Sequence, residues 1–87
     1  MKTQISHKIT SLLNQNLQFA EFASQMLKDE MAIFEKEYSM DWKSFLKKFE
    51  SGKLGDDRHW FEWYALTQFV LDWDDTKKEI KKTLRSS

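Results

Sequence analysis

His59 and Glu62 stand three residues apart, with Asp56 and Asp57 just upstream. On a helix that spacing puts an imidazole and a carboxylate on one face, as in bundle proteins that hold metal ions. Those sites draw a Glu-x-x-His pair from each of two helices. Here the order is reversed, there is no second pair, and His7 has no acid at matching spacing. No metal is expected, and Asp56 and Asp57 read as ordinary acids at a helix start. The chain has no cysteine, which excludes disulfides, thiolate metal sites, iron–sulfur clusters and cysteine nucleophiles. A hydrolase would need Ser-His-acid, a His pair or a carboxylate pair. Carboxylates are plentiful, but none sits in the Gly-rich or strained-turn context that builds a catalytic pocket. We expect no enzyme and no cofactor. Lys77, Lys78, Lys81, Lys82 and Arg85 gather cations on about two helical turns and could touch phosphates. The acidic block before them (Asp56, Asp57, Glu62, Asp72, Asp74, Asp75) opposes that use. The helix after Gly55 also opens on Asp56-Asp57 and not on a basic reading helix. Direct nucleic-acid binding is not expected.

The elements that would position these groups follow from composition. The chain has 87 residues, 14 basic and 14 acidic, and no net charge. That balance disfavours non-specific binding to nucleic acid or anionic membrane. There is no proline, and Gly52 and Gly55 are the only glycines. A small all-β domain needs many Gly- and Pro-rich turns, so the expected fold is all-α in one domain over residues 1–87. No apolar run reaches the ~18 residues of a membrane span, and the first residues lack the apolar core of a secretory signal. A soluble, cytoplasmic protein is expected. Aromatics make up 15% of the chain. A domain this small hides only part of its surface, so some rings are expected to face a partner.

Spacings of three and four predict a first helix from about Thr3 to Glu37. It carries two apolar stripes. One runs Leu13, Leu17, Ala20, Ser24, Leu27, Met31, Phe34, Tyr38. The other runs Ile5, Ile9, Leu12, Asn16, Phe19, Ala23, Met26, Ile33. Together they form a face suited to a bundle. At 1.5 Å per residue this helix would be ~50 Å long and overhang a core ~30 Å across. Asn16 is either a polar residue fixing register between helices or a stripe-edge residue reaching solvent. Asp41 is the expected cap of a short second helix with Trp42, Phe45, Leu46 and Phe49 on one face, ending near Ser51 before Gly52. Gly55 supplies the next turn. Asp56 or Asp57 then caps a third helix to about Leu84, and loss of the true cap would cost about 0.5–2 kcal/mol.

Charge is segregated along this last helix. Residues 56–75 carry one positive and six negative charges, and residues 76–87 carry five positive and one negative. The helix dipole prefers this order. The same pattern could orient a partner by complementary charge. Trp60-Phe61-Glu62-Trp63-Tyr64 puts four rings in five residues. Trp60, Trp63 and Tyr64 share one side and Phe61 is turned about 100° from Trp60. These rings serve either a core or an interface anchor.

Phe34-Glu35-Lys36-Glu37-Tyr38-Ser39-Met40 with Phe45, then Gly52-Lys53-Leu54-Gly55-Asp56-Asp57, then Glu62-Trp63-Tyr64-Ala65-Leu66 resembles a group of small prokaryotic helical proteins. That group carries the patterns F-E-x-K-Y-x-M-x-x-x-x-F, G-x-L-G-D-D and E-W-x-A-L. Many of its members look like the antitoxin partner of a neighbouring toxin in type II toxin–antitoxin pairs. The chain departs from the pattern at Ser39, where glycine is expected, which bears on the turn. The resemblance implies a non-catalytic protein that masks a toxin through helical surface. The alternative is a self-associating helical protein of unrelated function.

The expected architecture is two long helices and a short middle one in an antiparallel bundle, completed by oligomerisation as a homodimer. Leu27, Met31, Phe34, Trp60, Trp63, Tyr64 and Trp73 are the expected partner contacts. Circular dichroism should show roughly 70–80% helix and no strand, against a base rate of ~30–35% helix. A clear strand component would contradict this reading.

Overall fold

A computed structural model describes residues 6–86. It contains three helices: α1 (His7–Tyr38), α2 (Trp42–Glu50) and α3 (Arg58–Arg85). They hold 32, 9 and 28 residues, about four-fifths of the chain. The described residues include no strand.

Local chemistry accounts for each boundary. Ser6 precedes α1, and its hydroxyl accepts from the Ile9 amide at 3.2 Å. Thr3, where the spacing had put the helix start, lies outside the described residues. α1 ends at Ser39, which takes a left-handed backbone at φ 52°. The amides of Ser39 and Met40 both turn back to the Glu35 carbonyl, the usual way to satisfy the last carbonyls of a helix. Asp41 caps α2 as its spacing predicts, accepting from the Ser44 amide at 2.7 Å. Gly52 follows at φ 75° and Gly55 at φ 82°, so both glycines sit where a side chain would be strained. One expectation needs correction. Asp57 stands at the cap position of α3 but makes no side-chain cap bond. Its carboxylate can favour this end only through the helix dipole, worth about 0.3–1 kcal/mol.

α1 and α3 pack along their length, and α2 closes one end. The α1–α3 contacts run in reverse chain order. Phe19 meets Trp73, Ser24 meets Asp74, Phe34 meets Trp63 and Tyr38 meets Trp60. α3 is nearly as long as α1 and accompanies most of it, but the aromatic core fills only the α2 end, so α1 does run past its own core. The molecule measures 53 × 23 × 18 Å with a radius of gyration of 17.1 Å, against ~12 Å for a compact chain of this length.

The core is therefore one-ended. Met31, Phe45, Trp63 and Val70 form it, with Phe34, Tyr38, Phe49, Trp60 and Tyr64 packed around. The Trp63 ring is sandwiched, lying 3.9 Å from Phe45 and nearly parallel to it, with Phe34 stacked at 5.6 Å. Towards the other end only Ala20 and Ser24 are buried in α1. The two stripes of α1 have different fates. Every member of the first is buried or half-buried against α3. In the second, Ile9, Leu12, Phe19, Met26 and Ile33 stay exposed, and Ile5 lies outside the described residues. Asn16 is exposed, which is the solvent-reaching alternative.

The turn geometry makes a pair of opposite predictions. Ser39→Gly should raise stability by about 0.5–1 kcal/mol, since a left-handed backbone costs a side-chain residue roughly that much. Gly52→Ala should lower it by about 1 kcal/mol for the same reason, as nothing lies within 4 Å of a Cβ there to add a clash. Urea unfolding followed by far-ultraviolet circular dichroism measures both.

Candidate functional site

Three features carry polar or exposed groups that could act on something outside the chain. The first is the α1–α2 junction. The Glu35 carbonyl closes α1, while its carboxylate accepts from the Trp42 amide at 2.9 Å and so caps α2 as well. Glu35 thus serves two helix ends. The Ser44 amide and then its hydroxyl hold the Asp41 carboxyl below its ordinary range, against a smaller opposing effect of burial.

The second feature is a polar clasp between α1 and α3. The Ser24 hydroxyl, fully buried in the inner stripe, donates to Asp74 at 2.8 Å. Lys77 lies 3.1 Å and Lys28 3.5 Å from the same carboxylate. Burial pushes the Asp74 carboxyl up, but the Ser24 hydroxyl, Lys77 and Lys28 together outweigh it and hold it below its ordinary value. The clasp borders an open cleft of about 370 Å³ lined by Lys28, Met31, Glu35, Trp42, Thr67, Val70, Leu71 and Asp74. Of its two carboxylates, Glu35 accepts from the Trp42 amide and Asp74 from the Ser24 hydroxyl, with Lys77 and Lys28 beside it. Among the described residues no group of three or more His, Asp or Glu side chains is placed to hold a metal ion, and no helix is long and apolar enough to cross a membrane.

The third feature is an open apolar face. Leu12, Phe19, Met26 and Ile33 recur every seven residues on α1, roughly 100° round from the row that meets α3. Phe22 extends this row outward. Phe19, Met26 and Ile33 are 59%, 54% and 59% exposed, and Phe22 is 63%. α3 contributes to the same side. Phe19 touches Trp73 edge-on at 5.5 Å, and exposed Phe69 lies one turn before Trp73 on that flank. α2 covers the opposite side at one end only, where Phe49 stacks on Tyr64 and Trp42 lines the cleft with Leu71. Among the described residues, nothing covers the flank that carries this row.

The residues expected as partner contacts fall differently. Met31 and Trp63 are buried in the chain's own core and offer no surface. Leu27, Phe34, Trp60 and Tyr64 are half-buried against that core, and Trp73 is half-buried against Phe19. Of the aromatic run only Phe61 stays exposed, edge-on to Phe49. Sequence reasoning joined both stripes of α1 into one face. Small residues hint at the difference, with Ala20 and Ser24 in the first stripe against Ala23 alone in the second, but they do not by themselves say which face another helix will occupy. The orphan of the core is Trp63 Nε1, which is buried without a hydrogen-bond partner, a cost of about 1–3 kcal/mol that the ring's burial must offset.

The clasp generates a pH prediction. A carboxyl held low in the folded state stabilises fully above its unfolded value of ~3.9, and that stability is lost as pH falls through the lower folded value. Asp74→Asn should therefore flatten the loss of stability between about pH 5 and pH 2. At pH 7 it should cost on the order of 1 kcal/mol, less than a fully buried charged hydrogen bond because a third of the side chain is wet. Urea midpoints across that pH range, for wild type and variant, are the measurement.

No protein-family model matches this chain, and no curated protein or solved structure is significantly similar to it.

Proposed function

We propose that the chain is a non-catalytic protein-binding module that acts in the cytoplasm, and that it masks a partner in the manner of an antitoxin. One observation carries the binding reading. Large exposed apolar side chains recur along one flank of α1 and α3, from Leu12 to Ile33 on α1 and at Phe69 on α3. Contiguous exposed apolar surface of this kind marks interaction sites on small proteins. Asp29, Glu30 and Glu37, with Lys36 among them, lie beside the row towards the α2 end, and Lys8 lies at the other end, which gives a partner a net charge polarity to read. The choice of a toxin as partner rests on the resemblance across residues 34–66.

The test is genetic and structural together. A neighbouring reading frame expressed alone should arrest growth, and co-expression of this chain should relieve the arrest. Phe19→Glu with Met26→Glu should abolish relief and weaken partner binding ~100-fold, as expected when a charge enters a desolvated contact, with the helical spectrum unchanged. Lys78→Glu, away from this flank, should leave relief intact. Relief by the double variant equal to wild type would remove the open face from the function. A neighbour that never arrests growth would remove the antitoxin form of the reading.

A further inference from the structure

The open flank of α1 has an internal symmetry. Leu12 and Ile33 are equidistant from the midpoint between Phe22 and Ala23, and so are Phe19 and Met26. Lys8 and Glu37, exposed at the two ends of the row, share that midpoint. So do Asn16 and Asp29. A two-fold axis across α1 at this point would lay α1 against α1 of a second copy in the opposite direction. Leu12 would then meet Ile33, Phe19 would meet Met26, and Lys8 would meet Glu37, each contact occurring twice. Closed two-fold dimers require this kind of self-complementary patch. The parallel pairing of α1 on α1 sets Lys8 against Lys8 and Glu37 against Glu37, a like-charge arrangement that disfavours it.

The area is adequate. Leu12 to Ile33 spans ~32 Å of helix, and two helices side by side are about 20 Å wide. That is roughly 600 Å² per copy or ~1,200 Å² in all, the lower bound of specific interfaces. The flank of α3 fits the same axis. The α1–α3 pairing sets the axis level near Asp74 and Asp75, which brings exposed Phe69 opposite half-buried Ile80 of the other copy.

We infer that a second copy of this chain covers the open flank, with α1 antiparallel on α1 about a two-fold axis between Phe22 and Ala23. This rests on the reading of that flank as a binding surface and names its occupant when no other partner is present. A toxin using the same flank competes with the dimer.

The chain has no cysteine, so engineered cysteines report the arrangement directly. Light scattering at roughly 100 µM should give twice the 10.5 kDa chain mass, falling to the monomer on dilution. Met26→Glu should give the monomer mass at the higher concentration with its helical spectrum retained. Ala23→Cys should cross-link to itself on mild oxidation, since it sits beside the axis. Lys8→Cys alone should not, but mixed with Glu37→Cys it should form the heterodimer. A wild type of monomer mass at that concentration would overturn the dimer. A dimer in which Lys8→Cys links to itself would overturn the antiparallel arrangement in favour of the parallel one, and a dimer in which Ala23→Cys does not link to itself would overturn the pairing of α1 on α1. A monomer whose Phe19→Glu, Met26→Glu variant still loses relief of growth arrest sinks the dimer and leaves the binding surface standing. A dimer beside unimpaired relief does the reverse.

Discussion

The parallel contact of Trp63 with Phe45, at 3.9 Å, is what the remainder of the chain is arranged around. It is the point where all three helices meet, because Phe34 of α1 lies on the same indole. A nine-residue helix cannot hold itself together in water. α2 exists because Phe45 and Phe49 bury their rings against α3, and because Asp41 and Glu35 satisfy its first amides. Without the ring stack, the two turns on either side of α2 would lose their reason to be tight. The unpartnered Nε1 of Trp63 shows how strongly shape dominates there.

That concentration of rings explains what was legible in the sequence. Punctuation was the clearest signal. Asp41, Gly52 and Gly55 each do what a single residue of their type can do with only local backbone, so no tertiary knowledge was needed to place them. The inner stripe of α1 was legible for the same reason, as a 3–4 alternation. The choice between the two stripes was not, because periodicity says which residues share a face and not which face another helix will occupy. The Ser24–Asp74 clasp, fifty residues apart, and the use of the Glu35 carboxylate at a second helix depend on a fold already formed. Asp57 shows the opposite failure. Its type and position suited a cap, but its side chain makes no such bond.

The chain's own core takes up most of the residues expected as partner contacts, for one physical reason. Trp and Tyr are the strongest interface anchors, but they are also the side chains that a small core needs most. With few aliphatic residues in α2 and the first half of α3, the core takes Trp60, Trp63 and Tyr64. What remains outside is Phe, Leu, Met and Ile. The surface is thus built of residues whose contribution is area and not hydrogen bonding. In the proposed binding role, discrimination between partners would rest on shape and on the charges at its two ends.

The one-ended core has a consequence for how the chain opens. Cooperative units of a protein open with free energies set by how much each buries. Residues 58–70 of α3 are bolted to rings on two other helices, while residues 74–85 rest on α1 through half-buried aliphatic side chains and the clasp. Amide hydrogen exchange in this chain should be graded along each long helix, fast near His7 and Arg85 and slow near Phe34 and Trp63. The fold is a clothes-peg, sprung at the aromatic end and able to part at the jaws.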